Sequence, residues 1–125
     1  MKVLVESPVR LTIDESELCN SVDVLSSDTY KTDNTYPIRG SHSLAVDRSN
    51  GQIIKLRNSS LKTDFSLEAR AYNDGVAFRM ILPGKQGEIR TPDEHTLFTL
   101  PVGSTVWYHD MYCHYEGIHQ RKDIS

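Results

Sequence analysis

The chain has 125 residues, 14 Lys and Arg against 17 Asp and Glu, a formal net charge of −3, and 38% hydrophobic residues. That length accommodates one domain with a real core. The weakly acidic balance argues against nucleic acid or an anionic membrane surface as partner, since both recruit basic faces.

No apolar run approaches the roughly 20 residues that span a bilayer. The opening Met1-Lys-Val-Leu-Val-Glu6 is too short for a signal-peptide core, because Glu6 and Pro8 interrupt it. Val3, Val5 and Val9-Arg-Leu-Thr-Ile13 alternate as one or two strands broken by Pro8. Asp14 to Leu18 reads as a single helical turn, and Ser21 to Leu25 as a further strand. The stretch from Ser26 to His42 is rich in Ser, Thr, Asp, Asn and Tyr and reads as a long loop or polar excursion. Leu44-Ala-Val46 and Gln52-Ile-Ile-Lys-Leu56 flank Asp47-Arg-Ser-Asn-Gly51, which predicts a hairpin whose Asn50-Gly51 supplies positive φ.

The strongest local signal follows. Phe65, Leu67, Ala69 and Ala71 alternate along one strand, Val76, Phe78, Met80 and Leu82 along the next, with Asn73-Asp74-Gly75 between them. A two-residue Asp74-Gly75 turn pairs Ala71 with Phe78, Ala69 with Met80 and Leu67 with Leu82, placing both apolar sets on one side. A three-residue loop would put them on opposite faces. The favoured register sets Arg70 against Arg79, a repulsive pair that a carboxylate such as Glu68 would relieve. Pro83-Gly-Lys-Gln-Gly87 is a turn, and Leu97-Phe-Thr-Leu100, Thr105-Val-Trp-Tyr108 and Met111-Tyr-Cys-His114 are short strands. Many short strands joined by turn signals predict an all-β antiparallel β-sandwich in one domain, residues 1–125.

Candidate chemistry gathers in Trp107-Tyr-His-Asp-Met-Tyr-Cys-His-Tyr-Glu116. Aromatic faces beside hydrogen-bonding groups suit sugars, whose C–H faces stack on rings. The same residues also serve as core strands with satisfied polar tips. His109, His114, His119, Cys113, Asp110 and Glu116 match no standard zinc spacing, and an extended strand would hold His109 and His119 about 33 Å apart, so they meet only across a turn. Cys19 and Cys113 admit a long-loop disulfide or two unrelated thiols. Asn58-Ser-Ser60 fits a glycosylation acceptor, a match that arises often by chance. No phosphate loop, nucleophile elbow or paired-carboxylate constellation stands out, so no catalytic residue is assigned.

Arg70-Ala-Tyr-Asn-Asp-Gly-Val-Ala-Phe-Arg79, then Glu94-His-Thr-Leu-Phe-Thr-Leu-Pro101, Trp107 and Tyr115-Glu116 occur in an order that resembles glycoside hydrolase family 97, most strongly over residues 65–118. That family contains α-glucosidases and α-galactosidases with an N-terminal super-sandwich, a (β/α)₈ barrel and a small C-terminal β domain. The resemblance implies a partial, non-catalytic N-terminal sandwich that supports the barrel and forms part of the substrate site, with Trp107 and Tyr115 as substrate-binding candidates. It also implies a calcium ion held in the parent enzyme partly by Glu116, and a periplasmic or secreted parent acting on an α-glucoside or α-galactoside. A truncated sandwich exposes an edge and an apolar face, which predicts marginal stability or self-association. The competing expectation is a free-standing carbohydrate-binding module with Trp107, Tyr108, Tyr112 and Tyr115 as its platform.

Overall fold

A computed structural model describes residues 4–110 and 116–125. Its strands are β1 (Leu11–Ile13), β2 (Ser16–Glu17), β3 (Val22–Pro37), β4 (Leu44–Asn58), β5 (Thr63–Ala71), β6 (Val76–Ile81), β7 (Pro92–Glu94), β8 (Thr105–Tyr108) and β9 (Gln120–Asp123). The fold is all-β, as expected, with antiparallel pairing of β1 with β2, β3 with β4, β4 with β5, β5 with β6, and β8 with β9. Among the described residues no helix is long and apolar enough to cross a membrane. The chain divides into two compact units, one comprising Met1–Leu11 with Asp93–Ser125 and the other Thr12–Pro92.

The second unit is built on a four-stranded meander in the order β3-β4-β5-β6. Ahead of it, the expected helical turn at Asp14 is replaced by a tight hairpin. Ile13 pairs with Ser16, and the two residues between them, Asp14 and Glu15, take φ values of 48° and 66°. Positive φ at both central positions is what a two-residue hairpin turn needs to match strand twist. A lone helical turn has no comparable closure, because nucleation is unfavourable without tertiary support.

The polar segment expected to loop is strand β3, paired with β4 from Val22↔Asn58 to Pro37↔Leu44 with one bulge between Val24 and Ser26. Its Thr29, Tyr30, Thr32, Thr35 and Tyr36 favour extended backbone, and most of its side chains are exposed, so polarity was a poor guide there. The hairpin expected at Asn50-Gly51 is likewise absent: β4 runs through both residues, and Gly51 does not take a positive φ. Gly51 is needed for its lack of a side chain. A Cβ there would overlap the ring carbons of Tyr30, its cross-strand partner. Glycine within a strand marks such close approaches.

In the central hairpin Ala71 pairs with Val76, Ala69 with Phe78 and Leu67 with Met80. The register is two residues from the expected one. Tyr72 N–H donates to Gly75 C=O at 2.8 Å, leaving Asn73 and Asp74 at the tip. A slip of two preserves parity, so the apolar sets still share a face. It also removes the Arg70–Arg79 opposition: Glu68 faces Arg79, and Arg70 faces Ala77. Phe65 and Leu18 are buried in this unit. Beyond β6, Glu88 N–H donates to Lys85 C=O at 3.1 Å, and Gly87 takes φ 86°, closing the expected turn.

In the first unit, residues near the start pair with the 95–99 segment. Val5 N–H donates to Thr99 C=O, Leu97 N–H to Pro8 C=O and His95 N–H to Arg10 C=O, each at 3.0 Å. These bonds join the two segments, but neither Val5 nor residues 97–100 lie within a strand, so the strands expected there are not formed. The expected Met111–His114 strand and one half of the possible Cys19–Cys113 pair lie outside the described residues. Cys19 Sγ lies 3.9 Å from Met80 Sδ.

Candidate functional site

The sequence-predicted residues sit on the β8–β9 hairpin of the first unit. Trp107 pairs with Arg121 and Tyr108 with Gln120. The open end is closed by Gly103 N–H to Ile124 C=O and Ile124 N–H to Ser104 C=O, both 2.8 Å. Trp107 is 65% exposed. It is a presented ring, and the reading of this strand as simple core fails at that position.

Side chains alternate across a strand, so Thr105 and Trp107 share one face while Val106 and Tyr108 share the other. On the Trp107 face, Thr105 Oγ1 donates to Asp123 Oδ1 at 2.7 Å, and Arg121 donates to the same oxygen at 2.8 Å. On the opposite face Tyr108 Oη donates to Gln120 Oε1 at 3.2 Å. Trp107 and Tyr108 therefore cannot belong to one flat platform. Tyr112 and Tyr115 lie outside the described residues.

Glu116 is exposed. Among the described residues no group of three or more His, Cys, Asp or Glu side chains is arranged to hold a metal ion. A single carboxylate is a hard oxygen donor suited to calcium, which takes six to eight oxygens in all. Beside Glu116, the hairpin brings His109 and His119 together with ring centroids 4.8 Å apart and planes at 78°. Their meeting across a turn was the one arrangement their spacing allowed.

A second cluster, of which the sequence suggested only Glu68 set between Arg70 and Arg79, lies on one face of the four-stranded sheet. Tyr30, Gly51 and Arg70 are cross-strand neighbours, and the Tyr30 ring crosses Gly51 to reach β5. Tyr30 Oη donates to Glu68 Oε1 and accepts from Arg70 Nε at 2.8 Å. The Arg70 guanidinium also stands 5.6 Å from the Tyr30 ring centre and donates to Asp47 Oδ2 at 3.3 Å. Arg79 Nε donates to the other Glu68 oxygen. These donors hold the buried Glu68 carboxyl down to about 2, through Tyr30 first and Arg79 next. Tyr30 is pushed up by the same carboxylate, and Arg70 is raised by its hydrogen bonds to Tyr72 and Tyr30. A cavity of about 270 Å³ opens beside Glu68, Arg70, Tyr72, Phe78 and Arg79. The sequence clue was the Arg70–Glu68–Arg79 charge pattern; Tyr30's part depended on an unforeseen strand. Chemically the cluster is a neutralised ion-pair network, with its carboxylate already occupied by donors.

Asn58, the glycosylation candidate, is 1% exposed. Its Nδ2 donates to the carbonyls of Leu18 and Asn20 at 2.9 and 2.8 Å, and its Oδ1 accepts from Leu61 N–H at 2.8 Å. An amide so occupied and buried is a structural clasp, inaccessible to a glycan in the folded chain.

The family model described as glycosyl-hydrolase 97 N-terminal matches residues 1–125. No curated protein matches significantly. Among solved structures, the crystal structure of a β-arabinopyranosidase superposes with a TM-score of 0.73 at 23% sequence identity. The alignment covers 86% of this chain and 17% of that one.

Proposed function

The chain belongs to the glycosyl-hydrolase 97 N-terminal family over residues 1–125, and from that membership we propose that it is the non-catalytic front domain of an α-glycosidase. Its role is to support a catalytic barrel and to supply one wall of the substrate site. Trp107 and Tyr115 would contact sugar, and Glu116 would give one carboxylate to a calcium ion. The family match carries this reading. The exposed Trp107 ring supports it, because such a ring offers an apolar face to a pyranose. The fold also resembles that of a β-arabinopyranosidase. Calcium, when bound, would lend positive charge to hydrolysis of an α-glucoside or α-galactoside. Glu116 would orient that charge from outside the barrel.

The test uses the parent enzyme and this 125-residue chain side by side. The chain alone is expected to leave nitrophenyl α-glycosides intact. In the parent, Glu116→Gln should weaken calcium activation by about 10- to 100-fold, the range seen when groups around a metal are lost. Hydrolysis by the isolated chain, or unchanged calcium dependence in the variant, overturns the proposal.

A second reading, a free-standing carbohydrate-binding module, draws on the exposed Trp107 with the Arg121–Asp123 pair on its face. Oligosaccharide binding by the isolated chain that vanishes in Trp107→Ala would favour it.

A further inference from the structure

We propose that His109 and His119 form a two-histidine site for a borderline transition-metal ion such as zinc(II), copper(II) or nickel(II), separate in chemistry from the calcium role of Glu116. Register produces the pair. Tyr108↔Gln120 is the last ladder pair of β8 and β9, and one step beyond it the His109 and His119 rings meet edge to face. Two imidazoles on a tetrahedral ion have ligating nitrogens about 3.3 Å apart, given metal–nitrogen bonds of about 2.0–2.1 Å. Ring centroids 4.8 Å apart place the two imidazoles at a spacing compatible with a shared ion.

The second observation concerns the tautomer. His109 Nδ1 lies 3.2 Å from the Asp110 carbonyl oxygen. A carbonyl only accepts, so a hydrogen bond there places a proton on Nδ1, and the neutral ring then offers Nε2 to a metal. Metal-binding histidines are commonly oriented by this kind of N–H to carbonyl bond. Gly117 leaves room for the ring, since a Cβ there would come within 3.3 Å of His109 Nδ1.

Ligand type sets the choice of ion. Imidazole nitrogen favours zinc, copper and nickel, whereas carboxylate and carbonyl oxygen favour calcium. Among the described residues no group of three or more potential ligands gathers here, so the proposal rests on the two imidazole nitrogens. The edge-to-face arrangement is also a stable packing of two aromatic rings, and the experiment separates the two roles.

Zinc chloride is titrated into the 125-residue chain by calorimetry, alongside His109→Gln and His119→Gln, with circular dichroism to verify the fold of each. One ion per chain is expected, with affinity at least about tenfold lower in either variant. As a readout that needs no variant, trace copper(II) should broaden the ring resonances of His109 and His119 before those of His42 and His95. Absence of saturable zinc binding, unchanged affinity in both variants, or broadening led by another histidine overturns the proposal and leaves ring packing as the pair's only role.

Discussion

Gly51 shows how much one missing side chain organises. Its bare backbone lets Tyr30 lie across β4, and only from there does the phenol reach Glu68 and Arg70. Gly51→Ala should displace the ring, strip those bonds and destabilise the chain by about 1–3 kcal/mol, the usual scale of overpacking. In a Tyr30→Ala background most of that penalty should vanish, which a double-mutant cycle in denaturant would measure. Glu68 carries a pH signature. Its folded value of about 2 is depressed from the ordinary 4.5, so its stabilisation is complete above 4.5 and is lost as pH falls toward 2. Asp64 beside Arg57, and Glu88 bonded to the Lys85 backbone and to Arg90, are lowered too and act in the same direction. Melting temperature should therefore decline across that acid window, and Glu68→Gln should flatten much of the decline. An unchanged acid slope in the variant would remove Glu68 as its source.

Among the elements, β4 is the organising strand, and its two ends differ. Asn50 to Asn58 pair with both β3 and β5, whereas Leu44 to Ser49 pair with β3 alone. Two-stranded ribbon is marginal without a covering layer. Leu44 and Val46, at 57% and 58% exposure, gain little from burial there. Amide hydrogen exchange should be slowest over residues 50–58 and accelerate markedly over 44–49. Equal protection along the strand would mean that something covers the ribbon. Turn chemistry at this scale was only partly readable. Asn73-Asp74-Gly75 marked a true hairpin, but Gly75 lies past the tip, where it accepts from Tyr72. Asn50-Gly51 had the same wording and made no turn, because a long polar strand was available to pair through it. Local propensity proposes a turn, and the neighbouring strand decides.

At the level of the molecule, period-two alternation announced an all-β chain, and parity alone placed Leu67, Ala69, Phe78 and Met80 on one face despite the two-residue slip. Strand β3 stayed hidden because its exposed faces need no apolar residues to remain extended. Asn58 stayed hidden because its three-residue motif says nothing about burial, and its carbonyl partners lie some forty positions upstream. Of the candidate site, the His109–His119 meeting could be anticipated from spacing, whereas residue type left Trp107 open between a core strand and a presented ring. The alternation that separates Trp107 from Tyr108 was implicit in the strand reading.

The first unit joins distant parts of the chain. Arg10 N–H reaches Thr96 Oγ1 at a separation of 86 residues, and Thr99 N–H reaches Ser7 Oγ at 92. The meander of Thr12–Pro92, by contrast, joins neighbours through short connections. On the ribosome, then, the hairpins can zip up soon after emerging, while the opening residues wait as an open edge for the far half of their ladder. In that interval an early segment without its mate is open to mispairing with another nascent chain.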